Sequence, residues 1–196
     1  MEKPASTTYP LEPAIARRWS PRAYDPDRIV SDRDLLTCLE AARWAPSSVN
    51  EQPWRYLVFD HKDPEARERA RACLSDGNAW ARRVPVLILS VAKLTFTRNG
   101  KPNRHAHYDT GAATVSLCLQ ATALGMFAHQ MGGFDSARAR AEFAIPDNCE
   151  PMTMIALGYY GRVEDLQEPQ RSRETEPRAR LALDAIYFRG YWGGGD

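Results

Sequence analysis

The first clear pattern of apolar and polar positions has a helical period. In DLLTCLEAARWA, residues 34–45, apolar residues recur every three to four positions until Pro46 ends the pattern. Ser31 and Asp34 resemble a capping box at its start. This segment therefore predicts an amphipathic helix followed by a polar loop.

Other segments have the pattern of β-strands. WRYLVF, residues 54–59, alternates and is rich in aromatic and β-branched residues. PVLILSVA, residues 85–92, is almost entirely apolar, as expected of a central strand covered on both faces. We predict two further strands in residues 126–131 and 151–160.

Three more helices are predicted. Asp63 precedes a charged helix over residues 64–74 that ends near Gly77, and a short helix covers 135–144. Residues 110–125 form a long helix that is apolar on almost every side. Such a helix needs cover around its whole circumference, so we expect it in the middle of something larger than one small core.

The remaining segments are polar. Residues 96–106 contain turn residues without a period, which predicts a long surface loop that walls a binding pocket. After residue 161 the chain becomes an arginine-rich arm, about 162–196, that regains aromatic residues at its end. We therefore interpret residues 1–196 as a single domain whose C-terminal arm crosses a surface and docks.

Composition narrows the functional classes. The chain has 196 residues, and its 26 Lys and Arg nearly balance 25 Asp and Glu, so no general basic field attracts nucleic acid or a membrane. The four cysteines form no CxxC pair, as is typical of buried thiols in a reducing compartment. We find neither a signal peptide nor a stretch near the roughly 20 apolar residues of a membrane span. We expect a cytoplasmic protein.

Arginine residues cluster in two places that are far apart in the sequence. The first cluster contains Arg17, Arg18, Ser20 and Arg22. The second contains Arg178 and Arg180, in the arm. Each is compatible with a solvated surface. Guanidinium groups and a hydroxyl also bind phosphate oxygens, so we predict a phosphate clamp where the two clusters meet.

Other candidate chemistry gives weaker signals. Gly132 and Gly133 form no dinucleotide or P-loop signature, but they let the backbone approach a flat ligand. His105, His107 and Asp109 have only a loose metal-ligand spacing, and ordinary hydrogen bonding is the competing interpretation, so no metal is predicted. No residue has the context of a nucleophile or a general base, which favours a cofactor as the reactive group.

Five segments together resemble the FMN-dependent nitroreductase family in order and spacing, across nearly the whole chain. They are RWSPR at 18–22, APSSVNEQPW at 45–54, GNAW at 77–80, QMGGFD at 130–135 and ALGY at 156–159. The resemblance implies an α+β, nitroreductase-like fold with a mainly antiparallel central sheet flanked by helices. It also implies an intertwined homodimer, with the C-terminal arm packing on the partner subunit.

The resemblance assigns the arginine clusters to the phosphate and ribityl end of FMN. The residues concerned are Arg18, Trp19, Ser20, Arg22, Arg178 and Arg180. It assigns the loop after the first helix to the flavin of the partner subunit. This loop supplies Pro46, Ser47, Ser48 and Asn50. Trp19 is larger than the residue that many family members have between the arginine and the serine.

The same resemblance places Gln52 and Asn78 at the flavin edge or the ribityl chain. It places a strand end over the isoalloxazine, with a backbone N–H near flavin N5. This strand end is Gln130, Met131, Gly132 and Gly133. Some family members carry Pro and Glu where this chain has Gln130 and Gly132, so side-chain control over the substrate differs here.

The activity implied by the resemblance is that of an oxidoreductase. NAD(P)H reduces FMN, which then reduces an electron-poor small molecule such as a nitroaromatic, a quinone or an enone. No side chain is predicted to be catalytic, because flavin N5 carries the chemistry. The alternatives are a flavin-dependent dehydrogenase, a reductive dehalogenase, and a flavin-binding module without turnover. No pattern in the sequence sets the natural substrate, the direction of the reaction, the choice of NADH or NADPH, or the roles of His105 and His107.

Overall fold

The structure is a computed structural model that describes residues 2–193. Within this range the chain forms six α-helices and a four-stranded sheet. The helices are α1 Pro13–Arg17, α2 Asp32–Arg43, α3 Pro64–Ala72, α4 Ala106–Ala123, α5 Ser136–Glu142 and α6 Gln170–Thr175. Short 3₁₀ helices cover Ser48–Asn50, Asp76–Arg83, Val163–Asp165 and Leu183–Ala185.

The sheet is antiparallel at every pair of strands. Its strands are β1 Trp54–Phe59, β2 Val86–Lys93, β3 Phe127–Met131 and β4 Cys149–Gly158. They lie in the order β1-β2-β4-β3, so the apolar β2 is an inner strand, as its sequence predicted. This arrangement confirms the predicted α+β fold, whereas the homodimer stays a prediction.

Alternation along β2 sorts its side chains into two cores. Leu87 and Leu89 face the core that includes residues of α3 and α5. Val86 and Ile88 face the other core, with residues of α2 and α4. Because successive side chains of a strand point to opposite faces, helices cover both sides of the sheet.

Three helices, α2, α3 and α5, start at side-chain caps that the sequence contains. Ser31 Oγ accepts the N–H of Asp34 at 3.1 Å at the start of α2. Asp135 accepts the N–H of Arg138 at 2.8 Å at the start of α5. Each cap satisfies a backbone N–H that has no partner inside the helix.

Two predicted boundaries are wrong. α4 begins at Ala106, four residues before its predicted start at residue 110. α3 ends at Ala72 rather than near Gly77. The chain leaves the helix there because Leu74 forms an isolated antiparallel bridge with Phe134. This tertiary pairing joins the region after α3 to the end of β3.

α4 is buried along one side and open along the other. It packs against α2, α1 and the sheet. However, Tyr108 is 79% exposed and Val115 is 46% exposed. A single chain therefore does not give this helix the complete cover that its sequence predicted.

The C-terminal arm divides into two parts. Up to Arg178 it bonds to its own chain: the buried Glu174 accepts backbone N–H groups of Arg22 and Ala23, and Arg178 donates to the carbonyl of Lys3. The buried polar groups of this first part find partners within the chain, and the packing of the arm on a partner subunit stays a prediction. Residues 181–193 are exposed, and 194–196 lie outside the described residues.

We predict that Gly161→Ala destabilises the protein by about 1–3 kcal/mol, because the new Cβ overpacks a fixed backbone. That Cβ would lie 2.5 Å from the carbonyl oxygen of Tyr24 and 2.6 Å from the nitrogen of Asp25. Gly77→Ala is the control, since its Cβ meets open space. Chemical denaturation should show a change within about 0.5 kcal/mol for the control, and equal effects in the two variants would contradict the prediction.

Candidate functional site

Two segments that are distant in sequence line one surface cleft of about 270 Å³. One side is formed by residues 18–22, after α1, and the other by residues 173–180 of the arm. The predicted cofactor residues in its lining are Arg18, Trp19, Ser20, Arg22, Arg178 and Arg180. The structure thus brings the two arginine clusters together within one chain.

Trp19 differs from its neighbours in where its side chain lies. The residue is 5% exposed, and its ring lies 6.0 Å from that of Phe127 and 5.7 Å from that of Tyr160. Arg18 and Ser20, on either side of it, are half-buried in the cleft. The Trp19 side chain therefore anchors the clamp in the core, and its role as a cofactor-binding residue stays a prediction.

The cleft carries an excess of positive charge. Burial, and after it the charges of Arg18 and Arg180, lower the pKa of the Arg178 guanidinium, so these groups lie close together. Glu176 is an acidic residue in the same lining. A phosphate monoester, with its negative charge and acceptor oxygens, would relieve this repulsion. The donor set fits the phosphate end of FMN.

β3 is fastened to the clamp through His129. Its Nδ1 lies 2.7 Å from the carbonyl oxygen of Pro21, and its ring lies 4.8 Å from that of Trp80. Burial, followed by the charges of Arg22 and Arg18, lowers the pKa of His129 to about 4. The imidazole is therefore neutral at pH 7 and donates from Nδ1 without adding charge to the cleft.

The end of β3 is held by hydrogen bonds from the segment after α3. The carbonyl of Gly133 accepts Ser75 Oγ at 2.8 Å and Asn78 Nδ2 at 2.9 Å. A Cβ on Gly133 would lie 2.7 Å from that amide nitrogen, so this close approach requires glycine. Asn78, predicted as a direct flavin ligand, uses its N–H to position the strand end. Gly132 is exposed and faces open space.

The other two residues of this strand end have different environments. Met131 is buried, and its carbonyl accepts Thr153 Oγ1 at 2.8 Å. Gln130 is exposed, with Nε2 at 3.5 Å from Cys118 Sγ. Of this pair, only Gln130 has an exposed side chain.

The loop after α2 has a fixed and strained shape. Ser48 donates its N–H to Asp109 Oδ2 at 3.0 Å, and Gln52 donates its N–H to Ser47 Oγ at 3.0 Å. Non-glycine residues adopt positive φ at Val49 (49°), Asn50 (56°) and Gln52 (52°). Such backbone is costly and persists only where surrounding contacts enforce it. Pro46 and the loop tip are exposed.

Within one chain this loop stays apart from the cleft. Asp109 holds the loop at the first turn of α4. Arg18 lies near Cys118, where its charge opposes the burial that raises the pKa of the thiol to about 11. Cys118 follows Asp109 by nine residues along the helix, which is a rise of about 14 Å. The predicted loop and clamp residues are therefore not brought together by a single chain.

Asp109, His129 and Glu174 shape the site in roles that the sequence analysis did not predict. The sequence pattern presents Asp109 only as a loosely spaced candidate metal ligand beside His105 and His107. Among residues 2–193, no three His, Cys, Asp or Glu side chains are grouped to hold a metal. The partners of all three residues are backbone groups, which no sequence pattern specifies. The available signal for Asp109 was its place directly before the predicted apolar helix, because a carboxylate that is buried there must find a hydrogen-bond donor.

Comparison with known proteins places this arrangement in a class. The model of the Nitroreductase family matches residues 15–159. YdgI of Bacillus subtilis, provisionally named an NAD(P)H nitroreductase, is 50% identical over 177 residues, covering 72% of this chain and 84% of that protein. An NADH dehydrogenase of Thermus thermophilus is 30% identical over 205 residues, covering 88% and 92%. A solved structure described as an oxidoreductase containing FMN superposes with a TM-score of 0.89 at 35% identity, covering 97% and 96%.

The fold and the matches define an oxidoreductase of the flavin-dependent class. More specifically, the chain belongs to the nitroreductase family. This confirms the predicted family and the predicted class of enzyme, and the names of its relatives agree with FMN as cofactor and NAD(P)H as donor. In the part of the chain that the structure describes, none of the helices is both long and apolar enough to span a membrane.

We predict that His129 makes the protein less stable in acid. The pKa is 6.5 in the unfolded chain and about 4 in the folded protein, so the unfolded state takes up the proton first. The free energy of unfolding should therefore be undiminished above pH 6.5 and fall by up to about 3 kcal/mol as the pH drops to 4.

Denaturant titrations at pH 7 and pH 4 would measure this effect. His129→Gln, which keeps an N–H donor but does not titrate, should lose correspondingly less stability over the interval. The exposed His107→Gln is the control and should behave as the wild type. An identical decline in wild type and His129→Gln would show that another group is responsible.

Proposed function

We propose that this protein binds FMN and uses NAD(P)H to reduce an electron-poor small molecule such as a nitroaromatic, a quinone or an enone. The observation that carries the proposal is the convergence of two arginine clusters in one cleft, which His129 joins to the strand that leads to Gly132 and Gly133. FMN combines a phosphate with a flat ring, so it matches both features. NAD(P)H is a cytoplasmic donor, which supports the predicted location.

The clamp residues bind and orient. Arg18, Arg22 and Arg180 offer guanidinium donors to phosphate oxygens, and Ser20 offers a hydroxyl. Arg178 Nη1 already donates to the carbonyls of Lys3 and Ala16, at 2.7 and 3.0 Å. Arg178 therefore has two roles: its hydrogen bonds fix the arm to the rest of the chain, and its positive charge attracts the phosphate.

The glycine strand end admits the ring. Without side chains at Gly132 and Gly133, the backbone approaches a planar group closely. Ser75 and Asn78 hold this backbone in place before the ligand arrives. When bound, FMN supplies the redox chemistry by accepting electrons from NAD(P)H and passing them to the substrate. The protein contributes position, and solvent supplies the protons at an open site.

The absorbance spectrum tests the central claim. The purified protein should be yellow or should take up added FMN. Under anaerobic conditions NADH or NADPH should bleach the flavin bands, and a nitroaromatic, a quinone or an enone should restore them. Reoxidation by only one of these acceptors would name the substrate class. A protein that remains colourless with added FMN would refute the proposal.

We predict that Arg18→Ala and Arg180→Ala each weaken FMN binding by about ten- to a hundredfold, because each removes a charge-assisted contact to phosphate. The neighbouring Arg17→Ala is the matched control. Arg17 is exposed and lies outside the lining of the cleft. Fluorescence titration of the apoprotein measures the three affinities. Unchanged affinity in either cleft variant would assign that arginine to the surface.

We further propose that the protein is a homodimer with two equivalent flavin sites, each built from both subunits. Apolar side chains are exposed along α4 and on the remote part of the arm, including Tyr108 at 79%, Leu181 at 74% and Trp192 at 90%. The strained loop lies away from the clamp of its own chain. A second copy would cover the apolar surface and bring its loop to the clamp.

Mixing two damaged variants tests the shared site. One variant is Arg18→Ala, and the other combines Ser48→Ala with Asn50→Ala. After joint unfolding and refolding, half of the dimers should be mixed, each with one intact site, so about a quarter of wild-type flavin binding should return. No recovery, or light scattering that shows a flavin-loaded monomer at micromolar concentration, would contradict the proposal.

A further inference from the structure

Glu174 is a fully buried carboxylate in the arm, at 0% exposure. Its Oε2 accepts the N–H of Arg22 at 2.9 Å, and its Oε1 accepts the N–H of Ala23 at 3.1 Å. Its own carbonyl accepts Lys3 Nζ at 2.8 Å. Among the described residues, no Lys, Arg or His side chain forms an ion pair with its carboxylate.

The two backbone bonds explain how the carboxylate is tolerated in the interior. Burying a charge is unfavourable unless hydrogen bonds replace its water, and bonds from N–H to a carboxylate are among the stronger ones. Burial, and after it the charge of Glu174, raise the pKa of the Tyr160 hydroxyl, so this side chain stays neutral nearby. Glu174 therefore holds the backbone of Arg22 and Ala23, at the C-terminal end of the first arginine cluster.

A second anchor lies four residues further along the arm. Arg178 donates to the carbonyls of Lys3 and Ala16, which fixes the arm to α1 and the N-terminal segment. Arg180 lies two residues after Arg178 and lines the cleft. The arm is thus fixed to the rest of the chain at Glu174 and at Arg178. The clamp is complete only when the arm is docked in this way, because the arm supplies Arg178 and Arg180.

We propose that Glu174 is a positioning residue that locks the arm onto the clamp, so that docking of the arm and binding of the FMN phosphate are coupled. This inference rests on the proposed FMN function. Because each process needs the arm in the same place, each stabilises the other by reciprocal linkage. The affinity for riboflavin, which has the ring but no phosphate, should not depend on whether the arm is docked.

Removing a negative charge from the arm changes FMN affinity in opposite directions, depending on whether Glu174 positions the arm or acts only through its charge. Glu174 and Glu176 are both acidic residues of the same arm, and neutralising either one leaves the cleft more positive. If charge alone mattered, both substitutions would tighten FMN binding. Glu174→Gln removes one of the two acceptor oxygens from a buried site, and Glu176→Gln changes an exposed side chain.

The experiment compares FMN and riboflavin affinities of the wild type, Glu174→Gln and Glu176→Gln, all as full-length chains. We expect Glu174→Gln to bind FMN at least about tenfold more weakly and riboflavin unchanged. Glu176→Gln should bind FMN as tightly as the wild type or more tightly. Unchanged or tighter FMN binding by Glu174→Gln, or an equal loss for both ligands, would overturn the inference.

A measurement on the wild type keeps the inference testable if Glu174→Gln does not fold. Trypsin cleavage after Arg171, Arg173 and Arg178 reports whether the arm is docked. Saturating FMN should slow this cleavage several-fold more than saturating riboflavin, and equal protection would overturn the inference. If the wild type itself does not bind FMN more tightly than riboflavin, the proposed function has failed instead.

Discussion

The constraint on which the candidate phosphate site depends is the repulsion between its arginine side chains, which the fold must hold close together. Arg18, Arg178 and Arg180 lie close enough for each charge to affect the next, and such a cluster would separate if its backbone were free. The backbone is not free, because Trp19 is buried beneath one half and Glu174 and Arg178 tie down the other. The positive charge is thereby held ready for an anion, and little rearrangement is needed when one arrives.

The antiparallel sheet makes this possible by bringing remote segments to one edge. β3 is an edge strand, and His129 within it bonds to Pro21 in the clamp. The same strand leads to Gly133, two residues beyond its end, which the segment after α3 holds in place. Phosphate end and ring end of the proposed flavin site are therefore both attached to one short strand, which fixes their separation.

Within one chain, α4 separates the strained loop after α2 from the arginine clamp. Asp109 near its start holds the strained loop, and the clamp lies further along its length. The open side of the helix carries exposed apolar side chains. One chain thus contains both parts of the proposed site at different places, and the geometry favours completion of each site by another copy.

The sequence by itself determined the elements, because their causes are local. The apolar run of β2, the Ser31 cap of α2 and the alternation in β1 specify their structures within a few residues, and the five family segments indicated a flavin site. The tertiary structure decided the rest. The bridge from Leu74 to Phe134 ends α3 early, and the Trp19 side chain is buried in the core. Asp109, His129 and Glu174 hold parts of the site in place through hydrogen bonds to backbone groups. These three act on backbone groups that are many residues away, such as Glu174 on Arg22, and every residue offers the same backbone groups. No side-chain pattern in the sequence encodes such a pairing, so only the folded chain could specify it.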